Sequence, residues 1–170
     1  MRPISPRLNT ILMKLDVPTG DRPEVIATLI PLIQEAIRLV EAGEGDRVLW
    51  AMLHLRLGAA YLMSINSQGG SRGENVEAAL PPLQKALTIF TRQSHPEQWA
   101  LIQMNLAQVY TLRFKGTESE RIPIAIAAYR QALTVFTEHA HSDFYWRCKR
   151  MILELENRLE FGKMIEGEDF

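Results

Sequence analysis

Residues 95–137 restate, in altered form, a passage that has already occurred once in the chain. The later copy reads "HPEQWALIQMNLAQVYTLRFKG" followed by "ERIPIAIAAYRQALTVFT". The earlier reads "DRVLWAMLHLRLGAAYLMSINSQGG" followed by "ENVEAALPPLQKALTIFT". Trp50, Ala51, Leu57 and Tyr61 recur 49 residues on as Trp99, Ala100, Leu106 and Tyr110. In the second half of the unit the offset falls to 46: Ala79, Ala86, Leu87, Phe90 and Thr91 become Ala125, Ala132, Leu133, Phe136 and Thr137. Self-similarity at such a period marks a repeat architecture, in which one small unit cannot hide its apolar face alone. The three residues lost between the halves belong in a surface connection.

Each half has helical periodicity. Leu53, Leu57, Ala60 and Tyr61 fall three or four apart, as do Ile102, Leu106, Val109 and Tyr110. Ala79, Leu83, Ala86, Leu87 and Phe90 keep the same spacing, matched by Ala125, Tyr129, Ala132, Leu133 and Phe136. Gly58, Ala59, Ala60, Ala79 and Ala86 are small where two helices must cross closely. The expected fold class is therefore all-α: six main helices near 23–41, 47–65, 76–92, 96–114, 121–138 and 143–161, in three antiparallel hairpins.

Composition agrees with one globular domain. The 170 residues are 46% hydrophobic and 23% charged, with a net charge of −1. No apolar run approaches the length of a membrane span, and residues 1–20 lack a signal-peptide core. A single cysteine, Cys148, excludes an internal disulfide and fits a reducing compartment, so a cytoplasmic protein is expected. Near-neutral charge without a basic block argues against nucleic acid as a partner.

The organisation expected is an N-terminal extension (1–20), a repeat domain (21–161) and an acidic flexible tail (162–170). Leu8, Ile11, Leu12 and Leu15 make the extension a short amphipathic segment, suited to capping the first hairpin or filling a groove. Asp21 to Glu24 and Ser94 to Glu97 both have capping-box spacing. Pro31 and Pro81 imply late helix starts or bends. The loops Ser67–Asn75 and Lys115–Arg121 turn the chain back. The last helix, with charges over most of its surface, is expected to be a solvating cap.

This pattern resembles the tetratricopeptide repeat (TPR). The first copy supplies its favoured Leu57, Gly58, Tyr61, Ala79, Leu83 and Ala86, and the second Leu106, Ala107, Tyr110, Ala125, Tyr129 and Ala132. The wording is similar to long-period repeats of bacterial, notably cyanobacterial, proteins in which such arrays accompany caspase-like CHAT peptidase or signalling domains. The resemblance covers residues 23 to 160 and implies a right-handed superhelix whose concave wall binds a protein or peptide partner. Carried onto this chain, that wall comprises Met52, Leu55, Arg56, Ala59, Leu62 and Met63 in the first copy. The second contributes Leu101, Met104, Asn105, Gln108, Thr111 and Leu112. The third contributes Arg147, Arg150, Met151, Glu154, Asn157 and Arg158. Asn105, Arg56 and Arg147 meet part of the family's clamp for a peptide's terminal carboxylate, from which Met52 and Met151 depart.

Residues that could carry chemistry have plainer readings. Gly69-Gly70-Ser71-Arg72-Gly73 lacks the strand and the Gly-Lys-Ser/Thr entry of a phosphate loop. His139 and His141 have no further ligand at metal-site spacing. Basic neighbours at Arg147, Lys149 and Arg150 would activate Cys148, yet no His-plus-acid arrangement accompanies it. Trp50 and Trp99 head equivalent helices, where an aromatic packs between hairpins or, as the lesser reading, stacks on a ligand, with Tyr145-Trp146 in the corresponding place of the third copy. The expected function is a non-catalytic interaction module, with no cofactor or metal. The alternatives are a self-assembling scaffold, pairing through hairpin ends or the N-terminal segment, and a small-ligand binder or enzyme with a closed pocket.

Overall fold

A computed structural model describes residues 4–16, 23–66 and 72–166. Among these are seven α-helices, one 3-10 turn and no strand. They are α1 (Pro6–Leu15), α2 (Pro23–Glu41), α3 (Arg47–Met63), α4 (Arg72–Leu87), α5 (Pro96–Leu112), α6 (Glu118–Ala132) and α7 (Ser142–Glu166). The chain divides into two compact units, Met1–Thr91 and Arg92–Phe170.

In the first unit, α3 packs on α2 and on α4, and α1 packs on α2. Ser5 caps α1 by accepting a hydrogen bond from the Leu8 amide at 3.2 Å. The helix buries Leu8 and Ile11 against Ile33, Ala36, Ile37, Leu53 and Leu57. The N-terminal amphipathic segment thus belongs to this unit's core. α2 ends in a Schellman turn: the Glu44 amide reaches the Leu39 carbonyl, and the Gly43 amide the Val40 carbonyl. That turn puts Gly43 at φ 103°, a left-handed conformation open to glycine. Asp46 then caps α3 by accepting from the Leu49 amide at 2.8 Å. The capping box read at Asp21–Glu24 lies outside the described residues.

In the second unit, α6 packs on both α5 and α7. Ala100, Ala107, Ile122, Ala125, Tyr129, Ala132 and Phe136 form its core, joined by Cys148 and Leu155 of α7. Arg121, near the start of α6, donates to the carbonyls of Tyr110, Thr111 and Gly116. It thereby occupies carbonyls left open at the end of α5, where a cation also suits the helix dipole. The connection between α3 and α4 spans 64–71 and that between α5 and α6 spans 113–117, eight residues against five. The change in repeat offset therefore falls in the connection, as the sequence implied.

Several helix ends depart from their expected places. α4 and α6 stop at Leu87 and Ala132, well short of 92 and 138. The amides of Thr88 and Ile89 bond three residues back, to the Lys85 and Ala86 carbonyls, and Phe90 bonds Ala86. Thr134, Val135 and Phe136 do the same with Gln131 and Ala132. Each Thr hydroxyl also donates to the carbonyl three residues back, Lys85 or Gln131. This tightening turns Phe90 and Phe136 inward, at 0% and 1% exposure. The apolar spacing continues through both phenylalanines because they are core residues, although the helix has already ended.

α6 begins earlier than expected, at Glu118, because Thr117 and Glu120 form a reciprocal capping box. Hydrogen bonds from the Thr117 amide and hydroxyl hold the Glu120 carboxyl below its ordinary value. The expected box at Ser94 is not formed: α5 starts from His95 as N-cap, without a side-chain cap bond. Thr117→Ala should lower the melting temperature by about 2–4 °C in calorimetry. An unchanged melting temperature would refute the assignment of Thr117 as the cap. Pro31, Pro81 and Pro123 all lie inside helices.

The last helix differs most from expectation. α7 runs from Ser142 through Glu166, taking in residues 162–166 of the segment expected to be a tail. Its inner face packs Cys148, Met151, Ile152, Leu155 and Leu159 on the second unit's core. Its outer face is not uniformly polar, since Trp146, Leu153, Phe161 and Met164 are exposed on it.

Candidate interaction surface

The expected groove residues of the first unit lie on α3, and they divide by burial. Leu55 and Leu62 are buried, Met52, Arg56 and Ala59 are half-buried, and Met63 is exposed. Arg56 is held by the end of the N-terminal segment. Its guanidinium donates to the Leu15 carbonyl at 3.3 Å and to Asp16 Oδ1 at 2.8 Å. A recess of about 170 Å³ is lined by Arg56, Ala59 and Met63 together with Leu15 of α1 and Leu29 and Ile33 of α2. The first unit's share of the expected surface is thus bordered by the chain's own N-terminal helix.

In the second unit, α5 presents Leu101, Asn105, Gln108, Thr111 and Leu112, all half-buried. Met104, expected among them, is 5% exposed and belongs to the core. α7 presents Arg147 and Arg150, both exposed. Arg147 Nη2 lies 3.5 Å from Gln108 Oε1, and His141 Nε2 lies 3.4 Å from Glu97 Oε1. These contacts place the α5 and α7 faces side by side. Tyr129 of α6 is 2% exposed and packs in the second unit's core. Burial pushes its phenol up to about 12, against the opposing pull of Arg147.

The wall so formed has apolar patches at Leu101 and Leu112, amides at Asn105 and Gln108, and guanidinium groups along one edge. Arg147 meets only a neutral amide there, and Arg150 has no ion-pair partner among the described residues. An open recess of about 480 Å³ borders them, lined also by Ser142, Asp143 and Trp146. Arg158 is committed to Glu118, and these two with Glu154, Asn157 and Phe161 line a further open recess. Met151 packs on the core.

The tryptophans occupy matching places. Trp50 packs on the first unit's core and Trp99 on the second's. Trp50 donates to Glu41 Oε1 at 3.1 Å and meets His54 edge-on, with ring centroids 4.3 Å apart. Trp146 differs in being 53% exposed, with its ring edge-on to Tyr145.

Cys148 is fully buried, and burial pushes its thiol up to about 11, outweighing the lowering by Arg147. A thiol held protonated inside a core is chemically inert, whatever the sign of its sequence neighbours. His141 packs on Phe136 and faces Glu97. No cluster of three potential metal ligands occurs among the described residues. No helix among them is long and apolar enough to cross a membrane. Compared with known proteins, the chain matches no family model, no curated protein and no solved structure.

Proposed function

We propose that this chain is a TPR-like helical repeat protein acting as a non-catalytic interaction module, an adaptor or scaffold that holds a peptide segment of a protein partner. The observation that carries this reading is the α5–α7 wall of the second unit. There Asn105 and Gln108 lie along α5 between the apolar Leu101 and Leu112, Arg147 of α7 reaches Gln108, and Arg150 borders the same recess as Arg147. Apolar patches supply burial, amides fix an extended backbone, and unpaired guanidinium groups orient an acidic side chain or terminal carboxylate. The repeat pattern of Leu, Gly or Ala, Tyr and Ala supports the TPR comparison from the sequence side. A cytoplasmic, bacterial setting is part of the same reading.

The test is capture of proteins from a bacterial extract by the immobilised chain, compared with Asn105→Ala/Gln108→Ala. Loss of two partly buried amides should weaken a bound peptide about tenfold or more while the helical circular dichroism stays the same. An unchanged set of captured proteins would remove the α5–α7 wall as the binding surface.

A further inference from the structure

α7 is apolar on two opposite faces. Cys148, Met151, Leu155 and Leu159 point into the second unit, while Trp146, Leu153 and Met164 lie on the far side. Their exposures, 53%, 60% and 66%, leave them largely to solvent. A helix apolar on two sides needs a second neighbour. The outer seam follows a spacing of three and four: Trp146, Lys149, Leu153, Asn157, Glu160, Met164. Phe161, 65% exposed, extends its apolar end.

The order of residue types along this seam identifies the neighbour. Apolar, basic, Leu, Asn, acidic, apolar is its own complement when read backwards. Run antiparallel about a two-fold axis level with Leu155, two such helices set Trp146 against Met164 and Lys149 against Glu160, with Leu153 beside Asn157. Run parallel, they would set Lys149 on Lys149 and Glu160 on Glu160, which like-charge repulsion disfavours. Lys149 and Glu160 are both exposed, and neither has an ion-pair partner among the described residues. An isologous contact of this kind closes as a two-fold dimer and exposes no further copy of itself.

We infer that the outer seam of α7 is a docking surface for a second copy of this chain, paired antiparallel through Trp146, Leu153 and Met164 and oriented by Lys149 with Glu160. The seam shares Trp146 with the recess beside Arg147 and Arg150 but includes neither Asn105 nor Gln108, so Leu153→Glu and Asn105→Ala/Gln108→Ala can fail independently.

Sedimentation and light scattering across a dilution series test it. The wild type should move between about twice the chain mass and the 19.4 kDa of one chain as concentration falls. Leu153→Glu, on the solvent side of α7, should remain at 19.4 kDa with unchanged helical circular dichroism. Lys149→Glu should weaken pairing about tenfold, and Lys149→Glu/Glu160→Lys should restore it. A wild type that stays a monomer at every concentration overturns the inference. So does a dimer indifferent to Leu153→Glu, which would have formed through another surface. Failure of the double charge exchange to restore pairing overturns the antiparallel arrangement.

Discussion

Gly58→Leu is expected to cost the first unit at least about 3 kcal/mol, and Gly58→Ala about 1–2 kcal/mol, even though both residues favour a helix more than glycine does. Gly58 lies in the interior of α3, facing α4. A β-carbon there would stand 2.6 Å from Leu83 Cγ, 2.7 Å from Leu83 Cδ2 and 3.3 Å from the Ala79 carbonyl oxygen. Leu83 is fully buried and cannot swing out to make room. Alanine's gain in helix propensity, about 1 kcal/mol, is smaller than the cost of moving a packed core side chain. The second copy has Ala107 at the equivalent place, buried in a core with Ala125 and Tyr129, and there the methyl group is accommodated. Urea unfolding supplies the measurement. Gly58→Ala combined with Leu83→Ala should be less damaging than the sum of the two single changes, because the shortened side chain vacates the volume that the new methyl needs. Strict additivity would show that the two sites do not compete for space.

Stability should fall steeply between pH 6.5 and 4, and His54 should account for most of the loss. The imidazole is 3% exposed, and neither ring nitrogen has a hydrogen-bond partner. Burial, reinforced by the positive charge of Lys85 and partly opposed by Glu41, depresses its pKa from 6.5 to about 4. The unfolded chain therefore binds a proton across this interval while the folded chain does not. The contribution is complete above pH 6.5, declines as pH falls, and has gone once the folded state protonates near 4. Its size is on the order of 3 kcal/mol. His54→Leu removes the titrating group and two unpaired nitrogens while keeping a similar volume beside Trp50. The variant should be at least as stable as the wild type at neutral pH, with the gap widening as pH falls below 6.5. Parallel unfolding midpoints for the two proteins from pH 7.5 to 4.5 would show that some other group governs the acid limb.

The existence of the helices was legible because apolar residues recur at helical spacing in two passages that can be checked against each other. Their ends were less so. Nothing in the periodicity distinguishes Phe90 and Phe136 on a continuing helix from the same residues folded inward after it stops. Only the bonds of Thr88 and Thr134 to the carbonyls behind them separate the two cases. The sequence alone puts Thr117 in a loop, because its capping partner, Glu120, lies in the same polar stretch. For the interaction surface, positions taken from a repeat pattern identified Asn105, Gln108 and Arg147 as partly or fully open to solvent. They gave Leu55 and Met104 the same status, although both are buried. A position on a helix face is set by the sequence, whereas its accessibility depends on what the neighbouring elements cover. The outer seam of α7 was masked by the many charges around it, which the eye averages into a polar helix.

The paired termini at Phe90 and Phe136 bear on how such a chain can lengthen. Each copy carries its own stop signal, a threonine hydroxyl turned back on the helix, followed by its own inward-facing phenylalanine. The end of the helix pair is therefore set within the copy, while the joint between its helices is free to gain or lose residues. The three-residue discrepancy between the copies is a trace of that freedom.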